Sequence, residues 1–100
     1  TGASYNVTWD KSADDLIFAD SAKVAFGTSS DFTIVHDGTS NIIKSVNSNA
    51  TYIDSQGAWL YLQSNAGIQL GDVGGNEIFI KCIDNGAVEL YYDMLTIPMT

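Results

Sequence analysis

The sequence has no arginine, and its four lysines face twelve acidic residues, for a formal net charge of −8 over 100 residues. A chain so short of cations is repelled by phosphate backbones and anionic membrane faces, which argues against nucleic acid and lipid surfaces as partners. The acidity reads instead as a solubility device, or as repulsion between neighbouring particles. A single cysteine, Cys82, allows no intrachain disulfide and no cysteine-based metal site. Its setting, Ile80-Lys81-Cys82-Ile83, is that of a small apolar packing residue rather than a reactive thiol. No apolar run approaches membrane-spanning length, so no membrane insertion is expected, and no secretory leader pattern opens the chain. Thr1 in place of Met reads as the mark of a processed or trimmed chain.

Charged residues of all kinds make up only 16% of the chain, while the apolar share is an ordinary 45%. The polar remainder is dominated by Ser, Thr, Asn, Asp and Gly. That balance withholds the Glu, Lys, Arg and Gln that clothe helices and supplies turn formers instead. Apolar residues come in short bursts that often alternate with polar ones, the pattern of half-buried strands. Such bursts are Leu16-Ile17-Phe18, Val24-Ala25-Phe26, Phe32-Thr33-Ile34-Val35, Ile42-Ile43 and Trp59-Leu60-Tyr61-Leu62. Ile68-Gln69-Leu70, Ile78 to Ile83, Val88-Glu89-Leu90-Tyr91-Tyr92 and Leu95-Thr96-Ile97 continue the series. Turn clusters separate them, and Asp37-Gly38 and Asn85-Gly86 are dipeptides suited to positive φ and tight reversal. Ser12 to Lys23 also admits a helical reading, with Ser12 as a cap before Asp14 and Asp15, but its apolar spacing is ambiguous.

The whole of residues 1–100 reads as one β-rich domain or fibre segment, with residues 1–13 as an N-terminal linker or connection. A faint internal repeat runs through it. Ser55-Gln56-Gly57-Ala58 before Trp59-Leu60-Tyr61-Leu62 matches Asp84-Asn85-Gly86-Ala87 before Val88-Glu89-Leu90-Tyr91, and Ser64-Asn65-Ala66-Gly67 is a looser third copy. A turn unit reused before successive strands suggests growth along an axis. Strands this short bury little apolar area in one chain, and closure, stacking or the winding together of several chains answers that need.

Nothing in the sequence assembles a catalytic or cofactor-binding motif, and no enzyme, cofactor or metal is expected. His36, the only histidine, stands before Asp37-Gly38 without a legible nucleophile or oriented partner, and reads as a turn residue bonded to its neighbours. Asp10-Lys11-Ser12-Ala13-Asp14-Asp15 lacks the Gly and the closing Glu of a calcium loop. Gly71-Asp72-Val73-Gly74-Gly75-Asn76 lacks the Lys-Ser/Thr ending of a phosphate loop and precedes a strand. Asn6-Val7-Thr8 and Asn49-Ala50-Thr51 fit the N-glycan acceptor pattern, for which coincidence in an Asn- and Thr-rich chain is the better account.

The stretch from Asp14 to Asn41, with its Phe26-Gly27-Thr28 turn and its His36-Asp37-Gly38 turn, resembles a β-repeat of tail-fibre-like structural proteins of marine bacteriophages. Asp84-Asn85-Gly86-Ala87-Val88-Glu89-Leu90-Tyr91-Tyr92-Asp93 is similar to the segment that follows it in those proteins. The resemblance spans roughly residues 9–93 and rests on many weakly matching positions. It departs after Asp93, where Met94-Leu95-Thr96-Ile97-Pro98-Met99-Thr100 replaces a Lys- and Thr-rich stretch. The resemblance implies a structural virion protein, a tail-fibre segment in a phage tail or surface appendage that is extracellular after release. It further implies a homotrimer, other virion proteins as partners, and a host-surface glycan or protein as receptor; it brings no binding or catalytic residues.

The fold expected is therefore all-β, with short strands in a repetitive, elongated fibre-type fold, either a trimeric β-prism or β-helix-like. A monomeric carbohydrate-binding β-sandwich and a capsid or tail decoration protein are the competing readings. Alternation along strands makes Leu60, Leu62, Leu90 and Tyr92 candidates for chain–chain contact. Trp59, Tyr61 and Tyr91 are candidates for exposed recognition, since aromatic rings with polar edges can stack on sugars.

Overall fold

A computed structural model of the chain describes residues 7–92 in full and the backbone of Leu95–Pro98. Asn6 of the first glycan pattern lies outside the described residues. The fold is all-β, with no helix among the described residues. Strands β1 (Val7–Asp10) and β2 (Asp15–Phe18) form a hairpin. Strands β3 (Lys23–Phe26), β4 (Phe32–His36) and β5 (Asn41–Ser45) form a three-stranded sheet in chain order. Strands β6 (Gly67–Gly71), β7 (Ile78–Ile83), β8 (Val88–Tyr92) and β9 (Leu95–Pro98) form a four-stranded one. Every pairing is antiparallel and joins neighbours in sequence. The chain divides into two compact units, Thr1–Ile53 and Asp54–Thr100. The first unit holds the hairpin and the three-stranded sheet, the second the four-stranded sheet.

Turn chemistry explains why the strands end where they do. Asp10 Oδ1 accepts hydrogen bonds from the Ser12 N–H at 3.0 Å and the Ser12 hydroxyl at 2.7 Å, closing the β1–β2 turn. Asp37 Oδ1 does the same between β4 and β5, accepting from the N–H groups of Thr39 at 2.9 Å and Ser40 at 2.7 Å. Gly38 follows it at φ +95, a conformation that side chains rarely tolerate. At Asp84-Asn85-Gly86 the reversal uses Asn85 at φ +56, with the Gly86 N–H donating to the Ile83 carbonyl at 2.9 Å. Gly67 is required for a different reason, because a side chain there would run into the Cys82 carbonyl of the neighbouring strand.

Val7–Asp10, within residues 1–13, is a strand: Trp9 pairs Leu16 and Val7 pairs Phe18. Ser12 to Lys23 is not helical, and Leu16-Ile17-Phe18 is the strand expected of it, because the Asp10 turn and the β1 partner hold residues 15–18 extended. One sequence expectation is corrected: Trp59-Leu60-Tyr61-Leu62 is not a strand. A strand is defined by its hydrogen-bonding neighbour, and residues 51–64 make no backbone–backbone hydrogen bond to another described residue.

What is missing is a core. No apolar side chain among the described residues is buried, and the one buried side chain is Thr33, at 6% exposure in the middle of β4. Each sheet is a single layer of strands.

Candidate functional site

Cross-strand partners lie on the same face of a sheet, so the register assigns every strand residue to a face. In the four-stranded sheet Ile68, Cys82 and Val88 form one row, and Leu70, Ile80 and Leu90 the next. Ile78 and Tyr92 extend this face by alternation along β7 and β8. It carries no charged residue and no amide. The opposite face bears Gln69, Lys81, Glu89 and Tyr91, with Lys81 directly opposite Glu89. The Tyr91 hydroxyl donates to Glu89 Oε1 at 2.8 Å.

The other sheets repeat the arrangement. In the three-stranded sheet Val24, Ile34 and Ile43 cross one face in a row, and Phe26 sits opposite Phe32 with ring centroids 6.1 Å apart. The far side has Thr33 and Val35 at its centre and Lys23 and Lys44 at its flanks, where lysine stems help to cover it. In the hairpin Val7, Trp9, Leu16 and Phe18 share one face, while Thr8, Asp10, Asp15 and Ile17 share the other. Phe18 also borders a shallow hollow of about 360 Å³ with Val24, Ile34 and Ile43, so the two apolar faces of the first unit adjoin. Every sheet thus has one face free of Asp, Glu and Lys, and all three faces stand open: Trp9, Leu16, Phe26, Ile34, Leu70, Val88 and Tyr92 are exposed, and Ile43 reaches 68%.

The sequence-derived contact residues divide between two settings. Leu90 and Tyr92 stand on the charge-free face of the four-stranded sheet, Leu90 half-buried at its centre and Tyr92 exposed at its rim. Leu60 and Leu62 lie on the irregular segment before β6, both exposed. Of the recognition candidates, Trp59 and Tyr61 are the most open, at 80% and 71% exposure. Tyr91 is half-buried and turned toward Glu89, so it does not join them. Sequence reasoning missed the apolar faces of the hairpin and of the three-stranded sheet. Their signal was the two-residue alternation on both sides of each turn, which gives faces only once the turn offset fixes the register.

The polar groups serve the turns. His36 ends β4, with Nδ1 2.7 Å from Asn41 Oδ1 across the strand pair and Nε2 3.9 Å from Asp20 Oδ1. Its carbonyl accepts the Ser21 N–H at 2.7 Å, tying the β2–β3 connection to the sheet. Hydrogen bonds from the Ser40 and Thr39 backbone, with His36 beside it, hold the Asp37 carboxyl below its ordinary pKa. The Ser12 hydroxyl and N–H do the same for Asp10. No group of three or more His, Cys, Asp or Glu among the described residues could hold a metal ion.

Comparison of the chain with protein-family models, with curated proteins and with solved structures finds no match.

Proposed function

We propose that the chain is a segment of an elongated homotrimeric β-fibre, acting as a structural part of a phage tail fibre that supports attachment to a host receptor. The observation that carries this reading is the charge-free, uncovered apolar face on each of the three sheets, in a chain with no buried apolar side chain among the described residues. A four-stranded layer with one dry face does not hold itself together in water. Further copies of the same chain supply the missing layer, since they are present wherever the chain is made and carry the same faces. The charges lie off those faces, so three chains of −8 each approach through their neutral sides. The role is structural, with stability that depends on assembly rather than on a monomer core. The likeness of Asp14 to Asn41 and of Asp84 to Asp93 to phage tail-fibre repeats points the same way and supplies the virion setting.

Light scattering on the purified chain tests it. A folded particle of three chain masses, with a strand-type circular dichroism spectrum, is expected. A compact, stable monomer overturns the reading and favours the carbohydrate-binding β-sandwich.

A further inference from the structure

Residues 58–62, Ala58-Trp59-Leu60-Tyr61-Leu62, have the composition of a strand and lack only a partner. They repeat the pattern that, at Ala87-Val88-Glu89-Leu90-Tyr91, enters β8. Gly57 holds φ +92 ahead of them, and the Ser55 hydroxyl donates to the Ala58 carbonyl at 3.2 Å, so the turn before the segment is formed. The β8 copy is paired on both sides, by β7 and β9. The 58–62 copy makes no backbone–backbone hydrogen bond to a described residue and leaves Trp59, Leu60, Tyr61 and Leu62 exposed.

The same unit offers an edge of matching length. Natural sheets protect open edges with proline or charge. At one end of the four-stranded sheet β9 carries Pro98, which has no N–H to offer. At the other end β6 reads Gly-Ile-Gln-Leu-Gly over five residues, without charge or proline, and only a register shift at Leu70/Gly71 interrupts it. The segment does not fold back onto this edge in its own chain. Between them the Ser64 hydroxyl accepts the N–H groups of Ala66 at 3.2 Å and Gly67 at 3.4 Å, occupying donors at the start of β6.

We infer, building on the trimeric reading above, that residues 58–62 become a strand only between chains, adding to the open edge of β6 in a second copy. Donor segment and acceptor edge then differ, so each chain gives to one neighbour and takes from the other. Such a head-to-tail contact closes as a ring where the rotation between copies allows it, and in the trimer proposed above every β6 edge is then taken. The backbone groups of both partners are then paired, and the exposed apolar side chains of 59–62 are covered by the second copy.

Amide hydrogen exchange on the unmodified chain tests this, measured across the concentration range in which the assembly forms. The amides of Trp59, Leu60, Tyr61 and Leu62, together with the outward amides of β6, are expected to slow by at least about 100-fold on assembly and to lose that protection together on dilution. A trimer in which 59–62 exchange at unstructured-peptide rates overturns the strand addition and leaves the trimer standing. Protection of 59–62 in a folded monomer overturns both. Protection that requires an added oligosaccharide assigns Trp59 and Tyr61 to sugar binding and overturns the second copy as occupant.

Discussion

Ile80 and Leu90 stand directly opposite one another on β7 and β8, on a sheet face without a single charge, and neither is buried. Central apolar pairs in a folded sheet are normally roofed by another layer. On the trimeric reading the roof comes from another copy, and that reading yields the first prediction.

Leu90→Asp places a carboxylate in the proposed chain–chain contact of every copy. An unpaired charge in such a surface costs several kcal/mol, so association should weaken by at least about 100-fold per contact. Folding should be lost with it, because no monomer core remains to hold the strands. Lys81→Gln, on the opposite face of the inner strand β7, should change stability by no more than about 0.5 kcal/mol. Sedimentation and circular dichroism on both variants check this. Equal effects from the two substitutions would show that the faces are not distinguished.

Salt provides a second check. Interfaces held by ion pairs weaken as salt rises. A contact made through neutral faces of chains that each carry −8 should instead tighten, because screening reduces repulsion between the copies. Measured by sedimentation, the dissociation midpoint should move to lower chain concentration between about 20 and 500 mM NaCl. A shift the other way would place charged contacts at the interface.

Much of the fold was legible from residue alternation and turn dipeptides. Phe32 to Val35, Ile78 to Ile83 and Val88 to Tyr92 alternate between Asp- or Asn-containing turns, and the structure makes each of them a strand. Val7–Asp10 escaped notice because Val7-Thr8-Trp9 is too short to show a period and becomes a strand only through its pairing with β2. Trp59 to Leu62 misled in the opposite direction, since propensity records what a segment prefers and not whether a partner stands beside it. Alternation alone put Leu90 and Tyr92 on a common face of β8. The matching face made by Val24, Ile34 and Ile43 was not, because it exists only once the offset across the Asp37 turn is known.

That turn leads to a prediction about pH. The Asp37 carboxylate accepts two backbone N–H groups, and its pKa is lowered on folding. A carboxylate with a depressed folded-state pKa contributes stability above its unfolded-state pKa and loses it as pH falls through the folded-state value. The stabilising effect of the charge should be constant from neutral pH down to about pH 5, then fade below the ordinary carboxylate range. Asp37→Asn keeps an acceptor oxygen but removes the charge. Thermal melts of wild type and variant should therefore differ at neutral pH and converge in acid. A gap that stays constant down to pH 2 would mean that the charge of Asp37 is not what stabilises the turn.

The last prediction uses Cys82, which is half-buried on β7 between Ile68 on β6 and Val88 on β8. Its neighbours are apolar, and it shares the charge-free face with Ile80 and Leu90. In an isolated chain this face is open to small reagents, whereas in the proposed trimer another copy covers it. Alkylation by iodoacetamide should thus slow by at least about 10-fold as chain concentration rises through the assembly range, because the thiol reacts only when its face is uncovered. A reference thiol on the other face of β7, Phe79→Cys in a Cys82→Ser background, should react at the same rate throughout. If Cys82 reacts at a rate independent of concentration while light scattering reports a trimer, the four-stranded sheet does not meet its neighbours through this face. The open face of the first unit, which contains no cysteine, is then the next to test, with Ile34→Cys as its probe.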